Sequence, residues 1–89
     1  MRLQLTLYSK PGCHLCEEVR ALLDTMQPTL ACDVEEIDIT TDPALFARYR
    51  YEIPVLASPA GEIARGRIDE AELWRRLRDA QRGRGGGAG

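Results

Sequence analysis

Leu3, Leu5 and Leu7 alternate with Gln4, Thr6 and Tyr8. This period of two predicts a strand over residues 2–8 with one apolar face. The period changes after a turn at Ser9-Lys10-Pro11-Gly12. Cys16, Val19, Leu22, Leu23 and Met26 recur at helical spacing, with Glu17, Glu18, Arg20 and Asp24 on the other faces. A helix is therefore predicted over 13–26, and Pro28 ends it. Residues 32–39 form a second strand, with Val34, Ile37 and Ile39 as its apolar positions. Thr41 or Asp42 then caps a short helix that has Pro43 at its first position and Leu45, Phe46 and Tyr49 as its stripe. Ile53–Ala57 and Glu62–Gly66 are two further strands across a Ser58-Pro59-Ala60-Gly61 turn, which makes a hairpin. Asp69 caps a last helix that turns Leu73, Trp74 and Leu77 inward and Arg75, Arg76, Arg78 and Asp79 outward.

The order is strand, helix, strand, helix, hairpin, helix. A helical crossover makes the first two strands parallel, with a right-handed connection. The hairpin is antiparallel. These elements predict an α/β domain, a four-stranded mixed sheet in the order 2-1-3-4 with three helices on its faces. The domain spans residues 1–80. Residues 81–89 read as a flexible Gly/Arg tail, since Gly83-Arg84-Gly85-Gly86-Gly87-Ala88-Gly89 has nothing apolar and bulky to bury.

The length of 89 residues allows one small domain. A chain of this size buries about 60–65% of the surface it exposes when unfolded, so its stability margin is modest. A net charge of −2 sets up no field for nucleic acid or an anionic membrane. No run approaches the roughly 20 apolar residues of a membrane span. The N-terminus enters a strand directly, without the pattern of a signal peptide, which makes the cytoplasm the expected location. The absence of heptads makes a monomer the expected state.

Three cysteines do not make a disulfide framework, which needs an even number. Two of them form Cys13-His14-Leu15-Cys16, one helical turn apart, where the first strand gives way to the first helix. The first turn of a helix has unpaired N–H groups and a partial positive charge, and both favour a thiolate. Gly12 lets the chain turn tightly before Cys13. Cys13 is the expected nucleophile, the more exposed thiol. Cys16 points toward the sheet and is the expected resolving thiol. Lys10 and His14 flank the nucleophile as cationic tuning groups, and Leu15 completes the interior of the motif. Such a motif is also half of a zinc site. The remaining ligand types are His14, which projects from another side of the helix, and Cys32, which opens a distant strand. The strand–turn–helix context favours redox chemistry, and no metal ligand is assigned. Cys32 reads as a small hydrophobe.

Tyr8-Ser9-Lys10-Pro11-Gly12-Cys13-His14-Leu15-Cys16 resembles the opening of the glutaredoxins, within the thioredoxin superfamily. Ile53-Pro54 is similar to that superfamily's proline before the third strand. The likeness spans roughly residues 2–80 and is closest to small bacterial glutaredoxin-like proteins with Cys-His-Leu-Cys. It implies a thioredoxin-like three-layer sandwich and a cis bond at Pro54 facing the cysteines. It also implies a thiol–disulfide oxidoreductase that reduces protein disulfides or glutathione mixed disulfides. Ile53, Pro54, Gly66 and Arg67 then lie where substrate binds. Glutathione or a thioredoxin-type reductase is the implied electron source, and no resident cofactor is implied. Two positions depart from glutathione users. Arg67 replaces a glycine, and Glu52 sets a carboxylate where an anionic ligand would lie. Lys10 and Arg67 are alternative partners for glutathione carboxylates. The backbone at Ile53 is an edge to which an extended peptide can add. The competing reading is a binding module on the same fold, holding a metal, an iron–sulfur cluster or a protein partner.

Overall fold

The computed structural model describes residues 2–85, and of residues 83–85 the backbone alone. Strands β1 (Leu3–Ser9), β2 (Cys32–Asp38), β3 (Val55–Ser58) and β4 (Gly61–Arg65) form one sheet in the order β2-β1-β3-β4. β1 runs parallel to β2 and antiparallel to β3. β3 and β4 form the expected antiparallel hairpin, with an irregularity between Leu56 and Ala57. The helices are α1 (His14–Met26), α2 (Pro43–Tyr49) and α3 (Glu70–Gly85). Among the described residues, no helix is long and apolar enough to cross a membrane.

The leucine alternation in β1 builds the core. Leu3, Leu5 and Leu7 project from one face and are buried with Val19, Leu23 and Met26 of α1 and with Leu73 and Leu77 of α3. Burying a leucine or methionine side chain stabilises the fold by about 1.5–3 kcal/mol, so this face carries most of the stability. The opposite face presents Gln4, Thr6 and Tyr8. α2 meets it through a stack of Tyr49 on Tyr8, with ring centroids 4.6 Å apart. No residue of α2 is fully buried. The molecule thus has three layers, one tightly packed and one loosely attached.

Several boundaries differ from the sequence reading. β2 ends at Asp38, and Ile39 starts a 3₁₀ turn (Ile39–Thr41) in which it is fully buried. Its hydrophobicity serves the turn rather than the strand. Asp42, not Thr41, caps α2: its Oδ1 accepts from the amides of Ala44 at 2.9 Å and Leu45 at 3.3 Å. Pro54 precedes β3 instead of lying within it. α3 continues through Gly85, past residue 80, where the sequence reading ended the domain. A glycine inside a helix costs only about 1 kcal/mol and keeps its N–H, so it does not stop the ladder as proline does. The rest of the expected tail, residues 86–89, lies outside the described residues.

Candidate functional site

β1 delivers the chain to Ser9, and the turn to α1 follows. Gly12 adopts a φ of 79°, a left-handed conformation that glycine accepts without strain. Cys13 comes next as the N-cap of α1, in extended conformation. Its Sγ accepts the backbone N–H of Cys16 at 3.2 Å. The sulfur thus takes the place that a serine or aspartate oxygen usually fills at a helix start. The same sulfur is joined to Cys16 by a disulfide, with the Cα atoms 5.2 Å apart. Cys13 is half-buried and Cys16 is 2% exposed. One sulfur therefore faces outward at a positive helix end, and its partner is held inside.

The flanking side chains are disposed unevenly. The His14 side chain is 93% exposed, with Nδ1 3.8 Å from a Glu17 carboxylate oxygen. Lys10 is exposed and Leu15 half-buried. Lys10, Gly12 and Cys16 share an open cleft of about 390 Å³ with Ser9, Glu17, Glu36 and Asp38. Ser9 is 4% exposed, and its hydroxyl donates to Glu36 Oε2 at 2.7 Å.

Sheet register brings the second half of the site to the same end. Tyr8 pairs with Val55, so Pro54 stands level with Ser9. The Ile53–Pro54 peptide bond is cis. The Gly66 amide donates to the Pro54 carbonyl at 2.8 Å, and Gly66 has a φ of 65°. Pro54 and Gly66 border a small hollow with Val19, Leu56 and Ile68. Arg67 is exposed. His14, Leu15, Ile53 and Arg67 line neither the cleft nor the hollow.

A family model described as the glutaredoxin-like domain (DUF836) matches residues 4–78. The chain belongs to this glutaredoxin-like family. A structural-genomics target protein of X. campestris is 31% identical to it, with a TM-score of 0.74 over 84% of this chain and 96% of that one. A protein of Nitrosomonas europaea solved in solution is 28% identical, with a TM-score of 0.72 over 84% and 91%. A thioredoxin variant from Halobacterium salinarum shares the fold at 20% identity, with a TM-score of 0.67 over 86% of this chain and 73% of that one.

Three features of this glutaredoxin-like site were hidden in the sequence. Arg65 reaches Glu52 through Nη1 and Glu62 through Nε, the latter at 2.7 Å. The carboxylate expected to confront an anionic ligand is therefore already matched by a cation. Glu62 is held below the usual carboxylate range, first by its hydrogen bond from Arg65. The Ile53 amide donates to the Tyr49 carbonyl at 3.2 Å, so that amide is already paired within the chain. The Ser9–Glu36 bond joins residues 27 apart. Alternation in β1 hinted at it, since Ser9 continues the buried series of Leu3, Leu5 and Leu7. Among the described residues, no three His, Cys, Asp or Glu side chains cluster to hold a metal ion.

Proposed function

We propose that this protein is a dithiol–disulfide oxidoreductase in which Cys13 is the nucleophile and Cys16 the resolving thiol. The observation that carries the reading is the double role of Cys13 Sγ, which caps α1 and is bonded to Cys16. In the reduced protein the Cys16 amide and the positive end of the helix favour the Cys13 thiolate. That thiolate attacks one sulfur of a substrate disulfide and expels the other as a thiolate. Cys16 loses its proton and attacks Cys13 Sγ, which releases the second substrate sulfur. Two electrons pass from the protein dithiol to the substrate, and the Cys13–Cys16 bridge remains. An external thiol, glutathione or the dithiol of a reductase, returns the pair to its reduced form.

Lys10 and His14 flank the thiolate and tune it. Leu15 shields it from water. Ile53, Pro54, Gly66 and Arg67 form the surface against which the substrate chain lies. A pair used for turnover suits a reducing compartment, and the cytoplasm is proposed on that ground. The matched pair of Glu52 and Arg65 removes one objection to an anionic tripeptide, while Arg67 still occupies the position of a glycine.

Turnover of a glutathione mixed disulfide by the wild type and by Cys16→Ser tests this. The wild type is expected to cycle, with one intramolecular bridge appearing in a glutathione redox series. Activity retained in Cys16→Ser identifies a glutathione user that needs one thiol. Activity lost in Cys16→Ser, with a trapped mixed disulfide at Cys13, identifies a protein-disulfide reductase. Failure of Cys13 and Cys16 to interconvert across the series refutes the reading.

A further inference from the structure

The described cations of this protein differ in what they meet. Arg2, Arg20, Arg65, Arg75, Arg76 and Arg82 each lie within 4 Å of a carboxylate. Lys10, Arg48, Arg50, Arg67 and Arg78 make no such pair among the described residues. Of these Arg48, Arg50 and Arg78 lie over aromatic rings, Arg78 alone over Trp74 on α3 and the other two together at the end of α2. Arg48 is 5.2 Å from the centre of Tyr49. Arg50 is 5.0 Å from Phe46 and 4.7 Å from Tyr51. Tyr51 is 82% exposed. The result is a patch of flat rings topped by positive charge without an ion pair, at the C-terminal end of α2 and over the two residues that follow it.

Its position in the fold gives the patch a use. Tyr49 stacks on Tyr8, the residue that leads β1 toward the cysteine turn. The chain runs from Arg50 and Tyr51 straight into Ile53-Pro54, at the cysteine end of the sheet. The cleft beside Cys16 is lined by Glu17, Glu36 and Asp38, with Lys10 among them. The cysteine end of the sheet therefore carries a cationic aromatic patch at the end of α2 and a cleft in which three carboxylates outnumber Lys10.

We propose that Arg48, Tyr49, Arg50 and Tyr51 dock an acidic segment of a substrate protein and so present its disulfide to Cys13. This rests on the oxidoreductase reading and names the class of partner. The stacked guanidiniums are held in place at a cost of little entropy, and each stack contributes about 0.5–1 kcal/mol at an exposed site. Their hydrogen-bond donors remain open to carboxylates, which they bind in pairs. Tyrosine and arginine are also the side chains that most often anchor protein contacts. The carboxylates of the cleft beside Cys16 disfavour the same acidic segment there, which leaves the α2 patch as its place to dock. A net charge of −2 on the whole chain disfavours a polyanion such as nucleic acid, which would span far more than this patch.

Two peptides of equal length test the proposal, one flanked by Asp and Glu and one by Lys, each made with serine in place of cysteine. They are titrated into the full chain by fluorescence anisotropy at low salt. The acidic peptide is expected to bind about tenfold more tightly than the basic one, and added salt is expected to erase the difference. In R48E/R50E the preference reverses, and R48Q/R50Q, with a wild-type melting curve, gives an intermediate value. Equal binding of the two peptides, or a preference untouched by charge reversal, overturns the proposal. So does a 20-nucleotide single strand that binds through the same residues more tightly than the acidic peptide. The same peptides carrying a disulfide separate this proposal from the reading beneath it. An acidic peptide that binds but is never reduced leaves the docking surface standing and removes the oxidoreductase. Reduction of both peptides at equal rates and with equal affinity does the reverse.

Discussion

Cys16 and Cys32 are buried almost equally, 2% and 1% exposed, at opposite ends of the sheet. Cys32 pairs with Leu3 at the start of β1, and Cys16 lies beyond the end of the same strand. Their chemistry nevertheless differs completely. Cys32 packs among leucines, and burial pushes its thiol above the ordinary value, partly opposed by the charge of Arg2. Cys16 has a second sulfur one helical turn away, and that sulfur caps the helix. Burial alone makes a thiol inert. A helix start and a neighbour within bonding reach make the same residue part of a couple.

The largest effect is expected where this difference is removed outright. Cys16→Ala abolishes the intramolecular disulfide, whereas Cys32→Ala retains it. Mass spectrometry after alkylation of the oxidised proteins reads the outcome. A bridge that persisted in Cys16→Ala would mean that Cys32 reaches Cys13, against its place at the far end of β1.

A smaller change is expected from polarity in the core. Cys32→Ser places a hydroxyl among Leu3, Met26 and Leu30 and costs about 1–3 kcal/mol, measured by urea unfolding. The potential of the Cys13–Cys16 couple is expected to stay at its wild-type value. If stability does not fall, Cys32 lies in a more polar place than its packing indicates.

The smallest effect concerns pH. The folded protein holds the Cys32 proton more tightly than the unfolded chain does. The resulting stability is complete below the ordinary thiol value and is lost as pH rises from there through the raised folded value. Wild type is therefore expected to lose more stability than Cys32→Ala between pH 8 and pH 10. Parallel pH profiles for the two proteins would remove burial as the cause.

Much of the fold was legible because its signals are local. Alternating leucines, a helical stripe with Cys16 in it, and Pro28 and Pro43 at helix boundaries all act within a few residues. The pairing of Cys13 with Cys16 is equally local, since one helical turn fixes their separation. Asp69 was readable as a cap, and its side chain accepts from the Glu72 amide at 2.8 Å. Ile39 was misassigned because an isoleucine is as apolar in a turn as in a strand, and only the packing around it distinguishes the two.

By itself, the sequence determined the order of the elements, the buried face of β1 and the position of a cysteine at a helix start. Those features follow from periodicity and from chemistry within one turn of chain. Only the tertiary structure decided that Arg65 answers Glu52, that Ser9 bonds Glu36 and that Tyr49 seats α2 on Tyr8. These contacts join residues 13, 27 and 41 positions apart. Sheet register and helix placement bring them together, and no local pattern encodes a meeting at such a distance.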